Sequence, residues 1–328
     1  MEGNTAVSAM QYWSVPVDKV ITILGPTAVG KTALSFSLAE AYGSELVSGD
    51  AYQIYRHMDI GTAKPTTAEL QRYTHHLIDI ADPDEAFSAA RFRALAAAAI
   101  SKINGAGKVP ILVGGTGLYV QSLLEGYTFA GSESPEPARE RARQLMERLT
   151  PEDMMQHITR ATAWQPPDWH ELLANTHRLT RLLCAIEMGD GPAFVRAGKA
   201  DGLVYDAFVV GLRLPRDLLY ERINERVDAM LQAGWIEEVQ QLLQRGYSTD
   251  LQSMKAIGYE ELALYVDGKL SLEEAASQIK QRTRRFAKRQ LSWYKRMPYI
   301  HWFDKAEFDH EQSLANAVQH AIDIAWQR

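Results

Sequence analysis

The sequence predicts an α/β fold: a P-loop-containing parallel sheet core interrupted by a mostly helical insertion. Three observations carry this expectation. An apolar run, "KVITIL" (19–24), leads into the glycine-rich "GPTAVGKT" (25–32) and then into a helical segment. Short apolar runs and helical segments alternate up to about residue 125 and again from 206, the rhythm of parallel strands joined by crossover helices. Between 126 and 203 the periodicity is helical, with no strand pattern.

In chain order, 19–24 reads as a buried strand and 32–42 as the helix after it. "SELVSGD" (44–50) is a second short strand ending in a carboxylate, and "HHLIDI" (75–80) is a third, followed by a turn at "DPDEAFS". Residues 88–103 form an Ala-rich helix with Ser88 as N-cap. "KVPILVGGTG" (108–117) is a further strand running out into glycines. Beyond the insertion, which "WQPPDW" breaks, "DAFVVGLRL" (206–214) and a long helix over 216–233 restore the strand–helix unit. More helices follow, and "YIHWFD" (299–304) is the last strand. The expected organisation is a loose leader over 1–17, the first part of the core over 18–125, the insertion over 126–203, and completion of the core with basic C-terminal helices over 204–328.

A chain of 328 residues with 46% hydrophobic and 23% charged residues is an ordinary globular protein with ample core. No apolar stretch approaches the ~20 residues that span a bilayer, and the first residues lack the pattern of a secretory signal. Cys184 is the only cysteine, which excludes an internal disulfide and a Cys-based zinc site and fits a reducing cytoplasm. The net charge of −6 argues against a generic nucleic-acid binder. Yet 280–296, "KQRTRRFAKRQLSWYKR", holds eight basic residues and no acidic one. Screening over ~8–10 Å lets such a stripe bind a polyanion on an acidic protein. A solvated helix face is the other reading of the stripe.

The segment 25–32 has the spacing of a phosphate loop, with the strand before it and the helix after it. Backbone N–H groups at a helix N-terminus point at phosphate oxygens, Lys31 adds a charge, and the Thr32 hydroxyl can hold Mg²⁺. A nucleotide hydrolase usually ends a neighbouring strand with a metal-holding Asp. Here "VPILV" ends in Gly114-Gly115-Thr116-Gly117 instead, leaving Asp79 as the alternative carboxylate. Asp50, at the end of the second strand, belongs to the same sheet edge as the phosphate loop and the Gly-Thr turn. That convergence suits a group transfer: the cradle grips the leaving group and Asp50 takes a proton from the acceptor. A turn residue or helix cap is the other reading of Asp50.

The chain resembles the tRNA dimethylallyltransferases (isopentenyltransferases). The blocks carrying the resemblance are "GPTAVGKT" (25–32), "GDAYQIYRHMDIGTAKP" (49–65), "HHLIDIADPDEAFSAARF" (75–92), "VPILVGGTGLYVQSLLEG" (109–126), "ERINERVDAMLQAGWIEEV" (221–239), "AIGYEEL" (256–262) and "IKQRTRRFAKRQLSWYK" (279–295). In the insertion, "ANTHRLTRLLCAIE" (174–187) keeps Asn175, Arg178, Arg181 and Glu187 in the family's register.

The resemblance implies transfer of a dimethylallyl group from dimethylallyl diphosphate to N6 of adenosine 37 in the tRNA anticodon loop. It assigns the diphosphate to Gly25, Pro26, Thr27, Ala28, Val29, Gly30, Lys31 and Thr32, with Mg²⁺ at Thr32. An arginine comes from the "RINER" helix, Arg222 or Arg226, with Arg226 preferred as catalytic beside Asp50 and Thr116. The target nucleotide falls to Asp50, Ala51, Tyr52, Gln53 and Thr116. Further tRNA contacts fall to Arg139, His177, Arg178, Leu179, Thr180 and Arg181, and to Arg282, Arg284, Arg285, Lys288 and Arg289 in the basic stripe. The adenosine must leave its stack, which costs less in a loop than in a duplex. The expected partners are tRNA and dimethylallyl diphosphate, with no membrane, no obligate protein partner and a cytoplasmic monomer. A phosphotransferase on the same cradle, an RNA-binding NTPase and a prenyltransferase acting on free adenine nucleotides are the alternatives.

Overall fold

The computed structural model describes residues 17–129 and 134–327. The leader expected over 1–17 lies outside these residues except for its last position.

The first strand, β1 (Lys19–Leu24), is the middle of the molecule. Its side chains alternate between two cores: Val20 and Leu24 pack on one face of the sheet, Ile21 and Ile23 on the other. Burial on both faces explains an uninterrupted apolar run. Gly30, at φ 104°, turns the chain into α1 (Lys31–Tyr42) and supplies no side-chain cap, so the first N–H groups of the helix stay open toward the site. The second strand, β2 (Leu46–Ser48), is followed by a loop, α2 (Thr67–Arg72) and β3 (His75–His76).

The third strand is shorter than the 75–80 expected from its apolar pattern. Leu77 (φ 65°) and Asp79 (φ 55°) adopt the left-handed region and break the extended run. The backbone then pairs with the loop after β2, Ile80 and Ala81 donating to the Ile54 carbonyl. Asp79 accordingly faces Lys64 at 2.6 Å in an ion pair rather than lining the phosphate loop's cavities, so it does not supply the metal-holding carboxylate considered for it.

The next helix, α3 (Ala89–Gly105), is capped by Ser88, whose hydroxyl accepts from the Arg91 N–H at 3.1 Å. Phe92, Ala96, Ile100 and Ile103 line its buried stripe. After β4 (Ile111–Val113), the "GGTG" segment turns directly into α4 (Gly117–Leu124).

Five helices follow: α5 (Glu136–Arg148), α6 (Pro151–Thr162), α7 (Trp169–Ala174), α8 (Thr176–Glu187) and α9 (Gly191–Arg196). They share a hydrophobic core of their own, built on Met154, Ile158, Leu172, Leu179, Leu182, Leu183 and Cys184. Trp164 and Trp169 pack against it. The segments leading in and out run side by side, with Ala200 N donating to the Glu125 carbonyl and Thr128 N to that of Gly198, both at 2.9 Å. Glu125, nearly buried, closes this junction through Lys199 at 2.7 Å and the Tyr299 hydroxyl at 2.8 Å.

The sheet is completed by β5 (Asp206–Arg213), with α10 (Arg216–Gln232), α11 (Trp235–Gln244), α12 (Tyr259–Val266) and the long α13 (Leu272–Tyr294) following it. The chain ends with β6 (Ile300–Asp304) and α14 (Glu311–Ala325). All six strands are parallel, in the order β3-β2-β4-β1-β5-β6. Their C-terminal ends therefore share one edge, with the turn after β4 between the loops after β1 and β2. Among the described residues no helix is long and apolar enough to cross a membrane.

Candidate active site

Three loops meet on that edge. The turn after β4 crosses the turn after β2 at van der Waals distance: a Cβ at Gly114 would stand 2.5 Å from the Gly49 carbonyl oxygen. Only glycine fits there. The crossing is fixed by Gly49 N donating to the Val113 carbonyl at 2.7 Å and Ala51 N donating to Thr116 Oγ1 at 3.0 Å. Thr116 thus holds the loop after β2 in place through its hydroxyl.

Asp50 uses one carboxylate oxygen in a turn and leaves the other open. Oδ1 accepts from the N–H of Tyr52 at 2.9 Å and closes the turn. Oδ2 has no hydrogen bond among the described residues and faces the position a Gly115 Cβ would occupy, 3.8 Å away. Gln53 is spent internally: its Oε1 accepts from Ser48 and its Nε2 donates to the carbonyls of Thr62 and Ala63.

Two cavities open from this junction. One, of about 500 Å³, is lined by the phosphate loop (Thr27, Ala28, Gly30, Lys31, Thr32) together with Arg222 and Arg226. The other, of about 590 Å³, runs beneath α10 and α13 and is walled by Ile223, Val227, Met230, Trp235, Phe286 and Trp293. Asp50, Gly115, Arg226 and Gln290 line both, so the two spaces meet at the carboxylate. The apolar wall follows from "RINERVDAM": Ile223, Val227 and Met230 recur at i, i+4 and i+7 on one face of α10. Arg226 lies on the adjoining face, half-buried, whereas Arg222 is exposed and touches only the first cavity.

Lys31 donates to the carbonyls of Gly25 and Pro26, each at 2.9 Å. Burial, and then the Arg226 guanidinium, push its ammonium down to about 8, while Asp50 pulls the other way. Burial also lowers Arg226, and Asp50 again opposes it. Two cations and one carboxylate therefore share a single electrostatic neighbourhood.

The basic stripe on α13 divides. Lys280 pairs with Asp228, Arg282 with Glu260 and Glu261, and Arg284 donates to Asn224 at 2.6 Å. Arg285, Lys288, Arg289, Lys295 and Arg296 are exposed. In the insertion, Arg139, His177 and Arg178 are exposed, while Arg181 packs over the rings of Phe129 and Phe194. Thr180 donates to the Thr176 carbonyl at 2.8 Å. Leu179 is a correction to the residue set: at 4% exposure its side chain belongs to the insertion's core and presents nothing to a ligand.

The sequence reading missed two supporting residues. Glu238 on α11 accepts from the N–H groups of Asp59, Ile60 and Gly61 and from the Tyr259 hydroxyl, pinning the loop whose residues 61–63 line the apolar cavity. Gln290 on α13 joins the phosphate loop to the turn after β4. Neither has a local signal, because the partners are distant in sequence. The helical spacing of the apolar wall was the one legible trace of the cavity.

The sequence model of the IPP transferase family matches residues 53–297. Similar curated proteins include the tRNA dimethylallyltransferase of Geobacillus kaustophilus, 42% identical over 294 residues (88% of this chain, 91% of that one). That of Symbiobacterium thermophilum is 45% identical over 288 residues (87% and 89%). Among solved structures, the full-length tRNA isopentenylpyrophosphate transferase of Bacillus halodurans superposes with a TM-score of 0.70 at 37% identity, covering 94% of this chain and 97% of that one. A eukaryotic dimethylallyltransferase acting on tRNA gives 0.75 at 26% identity, covering 95% and 80%. With a phosphate cradle and an apolar chamber meeting at Asp50, and with matches of this extent, the chain belongs to the IPP transferase family.

Proposed function

We propose that this protein transfers a dimethylallyl group from dimethylallyl diphosphate to N6 of adenosine 37 in tRNA. One observation supports this most directly: Asp50 lines both the phosphate-loop cavity and the apolar one. Donor and acceptor would meet at that carboxylate.

The diphosphate occupies the loop 25–32, facing the open N–H groups of α1, Lys31 and Arg226. The five-carbon group lies toward Ile223, Val227 and Met230. The bond from C1 to the diphosphate oxygen breaks as the N6–C1 bond forms, and pyrophosphate leaves with the bonding pair. The lone pair of N6 is delocalised into the ring, so the amine needs help. Asp50 Oδ2 accepts a hydrogen bond from N6 and then its proton, a contribution of ~10²–10⁴ in rate. Lys31 and Arg226 stabilise the charge that develops on the leaving group.

Mg²⁺ fits the residues present. Among the described residues no three His, Cys, Asp or Glu side chains gather into a metal cage. Thr32 and Asp50, with Ser35 and Ser48, do line a small cavity of about 60 Å³ beside Lys31, whose other walls include Leu46, Val47 and Val113. An ion that keeps most of its waters and takes diphosphate oxygens needs no more than that from a protein. Bound at Thr32, it would neutralise charge on the diphosphate.

The adenosine enters from the side of α13, where Arg285 and Lys288 are exposed to meet RNA phosphates and Arg289, also exposed, lines the apolar cavity. The test is to incubate the protein with labelled dimethylallyl diphosphate and unmodified tRNA, AMP or ATP. Label on tRNA alone is expected. Label on AMP would replace this reading with a nucleotide prenyltransferase, and ATP turnover without prenyl transfer would replace it with a phosphotransferase.

A further inference from the structure

We infer that Gln290 is a positioning residue that holds the donor loop and the acceptor-side turn at a fixed separation; its role in turnover rests on the function proposed above. Gln290 is 5% exposed in the middle of the molecule, on α13. Its Oε1 accepts from the Thr27 N–H at 3.0 Å, and its Nε2 donates to the Gly115 carbonyl at 2.8 Å. The partners fix which end is which, since a backbone N–H only donates and a carbonyl only accepts. Tyr294, one turn further along α13, donates its hydroxyl to the same Gly115 oxygen at 2.8 Å.

The two anchored peptides are the ones that matter for the reaction. Thr27 lies in the phosphate loop, beside the Gly25 and Pro26 carbonyls that receive Lys31. Gly115 adjoins Asp50: a Cβ there would stand 2.7 Å from Gln290 Nε2 and 3.8 Å from Asp50 Oδ2. One carboxamide thus joins the leaving-group loop to the turn that lies against Asp50. Reacting atoms have to lie ~3–3.5 Å apart, and a 1 Å misplacement costs ~10²-fold. A brace of this kind acts chiefly on the transfer step; because Gln290 also lines both cavities, its loss touches binding to a lesser degree. It also stands on the helix that exposes Arg285 and Lys288, so the element facing RNA is the element that sets the loop spacing.

The test uses Gln290→Met, which keeps the bulk and loses both bonds, Gln290→Glu, which keeps only the acceptor for Thr27, and Tyr294→Phe. Expected for Gln290→Met is a kcat lower by about 30-fold or more, with KM for dimethylallyl diphosphate and affinity for tRNA within about threefold of wild type. Tyr294→Phe loses about threefold, because Gly115 retains Gln290. A kcat within threefold in Gln290→Met, or a loss carried in KM, overturns the inference. Amide hydrogen exchange reads the brace without turnover. In Gln290→Met, protection of 25–32 and 114–117 falls together while that of β1 is kept; in Gln290→Glu the loss is confined to 114–117. Unchanged protection overturns the brace. Lost protection in a protein whose wild type prenylates nothing keeps the brace and sinks the proposed reaction.

Discussion

Lys31 and Arg226 bring two cations into one pocket, and the guanidinium helps burial hold the ammonium at about 8. In the ligand-free protein Lys31 therefore loses its proton as pH rises through 8, while a bound diphosphate favours the charged form. Binding of dimethylallyl diphosphate without tRNA should take up protons above about pH 7.5 and weaken as pH rises. Calorimetry in buffers of different ionisation enthalpy reads the uptake; a proton count of zero at pH 8.5 would remove Lys31 from the diphosphate site. The ordinary lysine value is 10.5. The unfolded chain thus holds the extra proton between about 8 and 10.5, so this group makes the ligand-free fold more stable with rising pH in that window.

Asp50 divides its work between a turn and a free oxygen, which makes Asp50→Asn the sharper substitution. The amide oxygen still accepts from Tyr52, so the loop keeps its shape, but no base remains. Turnover should fall by ~10²–10⁴ with tRNA affinity within a few-fold. Near wild-type single-turnover rates would show that the proton leaves by another route.

At the crossing of the two turns, Gly114→Ala would push a methyl group against the Gly49 backbone, which has no side chain to move aside. A cost of ~1–3 kcal/mol or more is expected, seen as a lower melting temperature together with lost activity. Gly105→Ala is the matching control. It lies at the end of α3 with nothing within 4 Å of the added carbon and should leave stability unchanged or improve it by up to ~1 kcal/mol.

Glu238→Ala would strip the cap from Asp59, Ile60 and Gly61 and leave the Tyr259 hydroxyl buried without its acceptor. Each orphaned buried group costs ~1–3 kcal/mol. The loss should appear as destabilisation and as raised exchange of the 59–63 amides. Protection unaltered across that loop would mean the carboxylate is not what orders it.

Replacing Lys288 by Glu should weaken RNA binding evenly across sequences and lower the slope of log K against log salt by ~0.7–0.9 for each RNA phosphate that the lysine neutralises. Replacing Arg282 should act differently. It pairs with Glu260 and Glu261, the latter 2% exposed on its side chain, so its removal strands a buried carboxylate and shows first as instability. Equal salt slopes in wild type and Lys288→Glu would exclude that side chain from the RNA surface.

Much of the sheet was legible because β1, β4 and β5 are buried on both faces and announce themselves as apolar runs. The third strand misled because "HHLIDI" looks extended from hydrophobicity alone, while the backbone turns left-handed at Leu77 and Asp79. Local motif chemistry singled out the 25–32 loop and Asp50, which line one cavity. It did not find Glu238 or Gln290, whose roles depend on backbone groups 175 or more positions away. Leu179 failed for a related reason: one helix turn carries both exposed and core positions, and a motif copied as a block does not separate them.

The paired threads at Glu125–Ala200 and Thr128–Gly198 mean that the helical insertion departs and returns at one spot. No strand of the sheet depends on what lies beyond that spot. The reaction chamber and the helical lobe can thus vary at different rates: the lobe can be exchanged, enlarged or trimmed to suit a different RNA shape, while the chemistry stays anchored to the strands that built it.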